Sequence, residues 1–158
     1  METVTFDFEQ FRVLRENAMG RLVWRLKRYM DGFTEPRLHA RGFTDFKLSY
    51  LTFLANIEEN GTTNREMARK ARVTKQMMSK VIGLLEQEGY IYTRKHETDS
   101  RSSVIFLSER GKELLLAVNE CMNEARAKFD AIVGAERMDQ LRTTLRDLVD
   151  ELEKEEGE

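Results

Sequence analysis

The 158-residue sequence predicts a mainly α fold with a small β-wing (α+β), a winged helix-turn-helix core flanked by N- and C-terminal dimerisation helices. Three observations carry that prediction. From Thr63 to Leu115 the segments TNREMARKARV, TKQMMSKVIGLLEQEGY, IYTRKHETDSRSSVIFL and SERGKELL read as helix, helix, β-hairpin and helix. Basic side chains crowd the second of these helices and the hairpin. On either side lie long stretches of helical periodicity, with Pro36 the sole proline to interrupt them.

The elements follow in order. Asp7 with Gln10 has the form of a helix start, and Phe11, Leu14, Leu22, Leu26, Tyr29 and Phe33 recur at helical spacing. A first helix is therefore expected over about Asp7–Met30, broken by Asp31-Gly32 and a loop at Glu35-Pro36-Arg37. A second is expected to start at Thr44, turn Phe46, Leu51, Leu54 and Ile57 inward, and end at Asn60-Gly61. Thr63 with Glu66 forms a capping-box signature for a third helix to Lys70. Thr74 caps a fourth, which runs to Glu88 and stops at Gly89. Its buried stripe is Met78, Val81, Ile82 and Leu85. Tyr90–Lys95 and Ser103–Leu107 read as strands, with the polar tip HETDSR between them. Ser108 caps a fifth helix carrying Leu115, Val118, Met122, Ala125 and Phe129. Gly134 separates it from a last helix that reaches about Glu155.

The chain is expected to be one domain, its winged core spanning about 44–111 and its flanking helices about 6–33 and 112–156. No apolar run approaches the ~20 residues of a membrane span, and METVTFDFEQF lacks the pattern of a secretory signal. A single cysteine, Cys121, fits a reducing cytoplasm. The net charge of −2 is unevenly spread. Thr62–Arg101 holds nine Lys/Arg against five Asp/Glu, so this segment is +4 and the remainder −6. A local basic face on a mildly acidic protein still attracts phosphate, and a dimer doubles it.

A helix that enters the major groove needs short polar groups for base edges and long cations for phosphates. On the fourth helix Thr74, Gln76 and Ser79 are of the first kind, Lys75 and Lys80 of the second, and Met77 can touch a thymine methyl. In the hairpin Arg94, Lys95, His96, Asp99 and Arg101 form a charged wing. An arginine gains from the negative potential of a narrow minor groove, and Asp99 can hold Arg101 in a bidentate pair. Thr63 and Asn64 open a helix whose free N–H groups can meet a phosphate. A solvated helix face and an ordinary Thr-Asp-Ser turn are the simpler explanations of the same residues, and their concentration in one segment argues for the nucleic-acid reading.

These residues resemble the MarR family of winged-helix regulators. The family's E-L-A helix, L-E-x-x-G end of the recognition helix, basic strand, D-x-R wing and L-T-x-x-G helix start correspond here to particular residues. They are Glu66-Met67-Ala68, Leu85-Glu86-Gln87-Glu88-Gly89, Arg94-Lys95, Asp99-Ser100-Arg101 and Leu107-Ser108-Glu109-Arg110-Gly111. Met67, Ser108 and the Met77-Met78 pair depart from the usual pattern. The resemblance implies a DNA-binding transcriptional regulator, most simply a ligand-responsive repressor that binds a palindromic operator in double-stranded DNA as a homodimer. It also implies that the first and last helices interlock two subunits. Met138, Leu141, Leu145, Leu148 and Leu152, spaced 3, 4, 3, 4, form a coiled-coil-like seam suited to this, although packing on the chain's own first helix would use the same spacing.

A small aromatic or anionic effector is a further implied partner. Trp24, His39, Arg41, Phe46 and Tyr50, with Tyr29 and Phe53, are the candidate lining, although such aromatics also serve a core. Cys121 lies between Glu120 and Glu124, which oppose a thiolate, so it is read as structural. His39 and His96 are too few for a metal site. No motif asks for a cofactor, and none supports catalysis or a membrane partner. The competing reading is a winged-helix interaction module that has lost DNA binding. A scaffold of that kind has no reason to concentrate cations on the fourth helix and the wing.

Overall fold

The computed structural model describes residues 6–95, 97–98 and 103–157. The element order is α1 (Phe8–Asn17), α2 (Met19–Ala40), a 3-10 turn (Leu48–Tyr50) running into α3 (Leu51–Leu54), β1 (Thr62–Thr63), α4 (Asn64–Lys70), α5 (Lys75–Gln87), β2 (Ile91–Lys95), β3 (Ser103–Leu107), α6 (Glu109–Val133) and α7 (Ala135–Gly157). The strands form an antiparallel sheet in the order β1-β3-β2. Thr62 pairs with Ile105, and Thr93 also pairs with Ile105 from the other side. The chain divides into two compact units, 1–118 and 119–158.

The first unit has its core where the helix-turn-helix meets the sheet. Leu54, Met67, Met78, Leu85, Tyr90, Ile105 and Leu114 are all essentially inaccessible to solvent. The expected stripe of α5, Met78, Val81, Ile82 and Leu85, is buried as a set. The ends of α2, α4 and α5 share one device. In each the residue after the C-cap takes a left-handed conformation, at Gly42 (φ 92), Arg72 (φ 54) and Gly89 (φ 78). The next N–H then reaches back to an orphan carbonyl: Phe43 to Leu38, Val73 to Ala68, Tyr90 to Leu85. Arg72 occupies a conformation that glycine adopts without strain.

Three expectations about the first half are corrected. The first helix is two helices, divided at Ala18, whose backbone is extended (φ −64, ψ 120) while Asn17 turns its side-chain amide onto the Val13 carbonyl. The second of them does not stop at Met30 but continues through Asp31-Gly32 and Pro36 to Ala40. Phe33, Thr34 and Leu38 are buried along this last stretch, and their packing outweighs the local breakers. The helix expected from Thr44 begins only at Leu48, because Phe43 and Phe46 are anchored in the core from a non-helical segment. The two-residue strand β1 was not anticipated at all.

In the second unit, Gly134 (φ 90) separates α6 from α7 as expected. Arg126 of α6 spans that break to reach Asp139 at 2.7 Å, and Arg142 holds the same carboxylate at 3.0 Å. Along α7, Leu141, Leu145, Leu148 and Leu152 are all exposed and Met138 is half-buried. Cys121 is fully buried and forms no disulfide. No described helix is long and apolar enough to cross a membrane.

Candidate nucleic-acid interface

The surface of interest is built on α4, α5 and the hairpin. Thr63 caps α4: its hydroxyl accepts from the Glu66 N–H (3.2 Å) and donates to the Glu66 carboxylate (2.8 Å), which also accepts the Thr63 N–H (2.9 Å). The backbone bond first, and the hydroxyl second, hold the Glu66 carboxyl below its ordinary value. The reciprocal box thus occupies the Thr63 hydroxyl. Asn64, the first residue of α4, donates through Nδ2 to Ser79 Oγ on α5 at 2.9 Å. Ser79 in turn donates to the Lys75 carbonyl at 2.9 Å. Two residues that the sequence nominated separately are therefore joined.

Thr74 caps α5 by accepting the Met77 N–H at 3.1 Å. Because 3.6 residues make a turn, burying Met78, Val81, Ile82 and Leu85 forces Lys75, Gln76, Ser79 and Lys80 outward. All four are exposed, as are Thr74 and, at 51%, Met77. Lys75 and Lys80 make no ion pair among the described residues. The outer face of α5 therefore carries two unspent cations, a thioether and three polar groups, with no carboxylate before Glu86.

Strand β2 separates its two cations. Residues alternate across a strand, so Arg94 and Lys95 lie on opposite faces of the sheet. Arg94 shares its face with Tyr92, its guanidinium carbon standing 5.2 Å from the Tyr92 ring and 5.7 Å from that of Phe106. These two rings stack across β2 and β3 at 5.3 Å. The Thr93 hydroxyl and N–H both reach Glu86 Oε1 on α5, at 2.8 and 3.0 Å. That carboxylate closes the outer edge of β2 and ties wing to helix. His96, Asp99 and Arg101 lie outside the described residues.

One cluster escaped sequence reasoning. Tyr90 donates its hydroxyl to Asp45 Oδ1 at 2.5 Å, and Arg110 clasps the same carboxylate at 3.0 and 3.1 Å. Arg110 also lies 4.5 Å from the Tyr90 ring and donates to the Glu88 carbonyl. Burial alone would raise the Asp45 carboxyl, but the hydrogen bonds from Tyr90 and Arg110 and the Arg110 charge hold it below its ordinary value. Burial, then the bond to Asp45, pushes the Tyr90 phenol well up. Next to this cluster Ser108 donates to the Gly89 carbonyl (2.6 Å) and accepts the Gly111 N–H (3.0 Å). Arg110 and Gly111 belong to the Leu107–Gly111 motif, which marked the helix start without revealing its partner Asp45.

The residues considered for an effector pocket are distributed differently. Phe46 is core, its ring edge-on to Tyr90 at 5.2 Å. Trp24 is exposed on α2 under the Arg28 guanidinium. His39 and Arg41 are exposed, and Tyr50 is half-buried against Phe53. An open groove runs along α2, lined by the exposed Leu22, Arg25, Leu26, Arg28 and Tyr29. Of the nominated residues Tyr29 lines it, while Trp24, His39, Arg41, Phe46, Tyr50 and Phe53 do not.

The model of the MarR family matches residues 44–102, the stretch that holds α4, α5 and β2 and ends just before β3. An HTH-type transcriptional regulator of Mycobacterium leprae is 31% identical over 106 residues, 67% of this chain and 72% of that protein. The chain belongs to the MarR family. A second HTH-type regulator, from Mycobacterium tuberculosis, is 33% identical over 97 residues, 61% of this chain and 66% of that protein, just under two thirds of its length. Among solved structures, a complex of Staphylococcus aureus MepR with DNA shares the fold at a TM-score of 0.67, with 18% identity over 85% of this chain and 98% of that one. The MarR-family assignment agrees with the α4–α5 pair and the β2–β3 wing seen here.

Proposed function

We propose that this MarR-family chain is a sequence-specific regulator of transcription, acting in the cytoplasm as a homodimeric repressor on a palindromic operator. The observation that carries the proposal is the outer face of α5, where Lys75, Gln76, Met77, Ser79 and Lys80 are exposed opposite a fully buried stripe. In this reading α5 enters the major groove. Thr74, Gln76 and Ser79 face base edges, Met77 meets a thymine methyl, and Lys75 and Lys80 neutralise phosphates. Thr63 and Asn64 stand at the backbone. The wing carries Arg94, Lys95 and His96 along the duplex, with the Asp99–Arg101 tip toward the minor groove.

A single recognition helix reads only a few base pairs, so specificity requires two held about one helical turn, ~34 Å, apart. The exposed leucines of α7, with Met138 at their head, and the exposed Phe8, Phe11, Leu14, Leu22 and Leu26 of α1 and α2 support a second copy as the occupant of those faces. A small aromatic or anionic effector belongs to the same reading, with the exposed Arg25, Arg28 and Tyr29 of α2 as groups that would meet a carboxylate and an aromatic ring. Its binding would lower DNA affinity by altering the spacing of the two recognition helices.

The test is selection of bound sequences from random duplex DNA by the full chain, alongside sedimentation of the free protein. Enrichment of a two-fold symmetric site by a dimeric species is the expected outcome. A chain that sediments as a dimer yet enriches no sequence would refute the regulatory reading in favour of an interaction module.

A further inference from the structure

The hydrogen bonds of the helix-turn-helix decide more than its rigidity. A serine hydroxyl has one hydrogen and two lone pairs. In Ser79 the hydrogen is spent on the Lys75 carbonyl at 2.9 Å, and one lone pair is taken by Asn64 Nδ2 at 2.9 Å. One lone pair remains, on an exposed side chain of the outer face of α5. Turning the Asn64 amide over does not change the outcome, because Oδ1 would then claim the hydroxyl hydrogen for itself. The Asn64 Oδ1 is buried with no hydrogen-bond partner among the described residues.

We propose that Ser79 reads the operator only as a hydrogen-bond acceptor, receiving the exocyclic amine of one adenine or cytosine in the major groove, because the Lys75 carbonyl holds its hydrogen and Asn64 fills one of its two lone pairs. In that groove adenine N6 and cytosine N4 are the donors, whereas guanine N7 and O6 and thymine O4 are acceptors. An acceptor-only hydroxyl accepts the first pair and is repelled by the second. A freely turning serine would tolerate all four. This inference rests on the proposed insertion of α5 into the major groove and adds a chemical direction to one contact.

The experiment uses the duplex enriched by the full wild-type chain. Its adenines are replaced one at a time by purine, and its cytosines by pyrimidin-2-one, each lacking only the amine. At one position in each half-site the wild type should lose about fivefold to tenfold in affinity. Ser79→Ala should show no loss from the same analogue at that position. Asn64→Ala leaves the hydroxyl hydrogen on the Lys75 carbonyl, so it should keep the full analogue effect. Asn64→Asp supplies a carboxylate that takes the hydroxyl hydrogen, so it should keep the full analogue effect while weakening binding to every duplex at low salt. Circular dichroism establishes that each variant folds. Should Asn64→Ala not fold, Asn64→Asp and Ser79→Ala carry the test.

Equal analogue losses for wild type and Ser79→Ala at every position would overturn the contact. Loss of the analogue effect in either Asn64→Ala or Asn64→Asp would overturn the acceptor-only state, since in both the hydroxyl hydrogen still has an acceptor within the protein. Failure of the wild type to enrich any duplex would instead sink the DNA-binding reading and this inference with it.

Discussion

Gly111→Ala offers a demanding test of how the wing is joined to α6. A Cβ at this position would stand 2.1 Å from the Tyr90 carbonyl oxygen and 3.2 Å from Leu107 Cδ2. The obstacle is backbone, and that carbonyl already accepts the Ser108 N–H at 3.1 Å, so it cannot simply turn away. The start of α6 must shift by about an ångström, which loosens the Ser108 bond, the Ser108–Gly89 bond and the Arg110 clasp on Asp45 together. Overpacking a close-fitted site costs typically ~1–3 kcal/mol, and contact with backbone places this one near 3. Alanine recovers about 1 kcal/mol through helix propensity. The net expectation is a loss of about 2 kcal/mol, or ~4–8 °C in Tm for a chain of this size. Urea unfolding followed by circular dichroism would show a lowered midpoint with an unchanged m-value. A variant as stable as the parent, or more stable as helix propensity alone predicts, would refute the close-approach argument.

The other expectations can be checked separately. Asp45 is held below its ordinary value of 3.8 in the folded protein, so its contribution to stability is present above that value and disappears as pH falls through the folded one; Asp45→Asn should therefore flatten the acid limb of the stability curve below about pH 4, and an unaltered limb would dismiss the cluster as a source of acid sensitivity. Arg72→Gly should relieve the left-handed strain and raise stability by about 0.5 kcal/mol once the added freedom of the unfolded chain is deducted, seen as a higher urea midpoint. Lys80→Ala should flatten the dependence of log affinity on log salt by ~1 on any sequence, whereas Gln76→Ala should leave the slope and relax one base position by ~1–3 kcal/mol; identical behaviour of the two would mean α5 is docked in another orientation. Leu145→Glu puts a carboxylate in the middle of the α7 seam and should give a monomer, by analytical ultracentrifugation, with only weak, salt-sensitive DNA attraction; a monomer that binds the palindrome at wild-type strength would detach specificity from dimerisation.

What could be read in advance tracks where the determining interactions lie along the chain. Helix α5 was legible because its cap, its stripe and its terminating glycine are all within it, from Thr74 to Gly89. The same holds for the Thr63–Glu66 box. Helix α2 was misread at Asp31-Gly32 and Pro36, where local propensity is poor and burial of Phe33, Thr34 and Leu38 decides the outcome. Strand β1 was invisible for a similar reason, since Thr62-Thr63 becomes a strand only by pairing with residues more than forty positions away. The site followed this rule too. Exposure of the α5 cations could be inferred from periodicity, but the Asn64–Ser79 bond, the Thr93–Glu86 tie and the Asp45–Tyr90–Arg110 cluster each join different elements and needed coordinates. Phe46 shows the converse, an aromatic whose type allowed either pocket or core and whose neighbours chose core.

The short pairing of Thr62-Thr63 with Val104-Ile105 has a consequence for how the protein comes apart. Helices α4 and α5 and strand β2 all lie within the loop that this pairing closes. Closing a loop of some forty residues costs entropy that is returned only when the enclosed elements pack. The ladder and the helix-turn-helix should therefore open and close as one cooperative unit, with amide protons of β3 and of α5 exchanging at a common free energy. The DNA-reading elements thus owe part of their resistance to local opening to two threonines, Thr62 and Thr63, at the rim of the sheet.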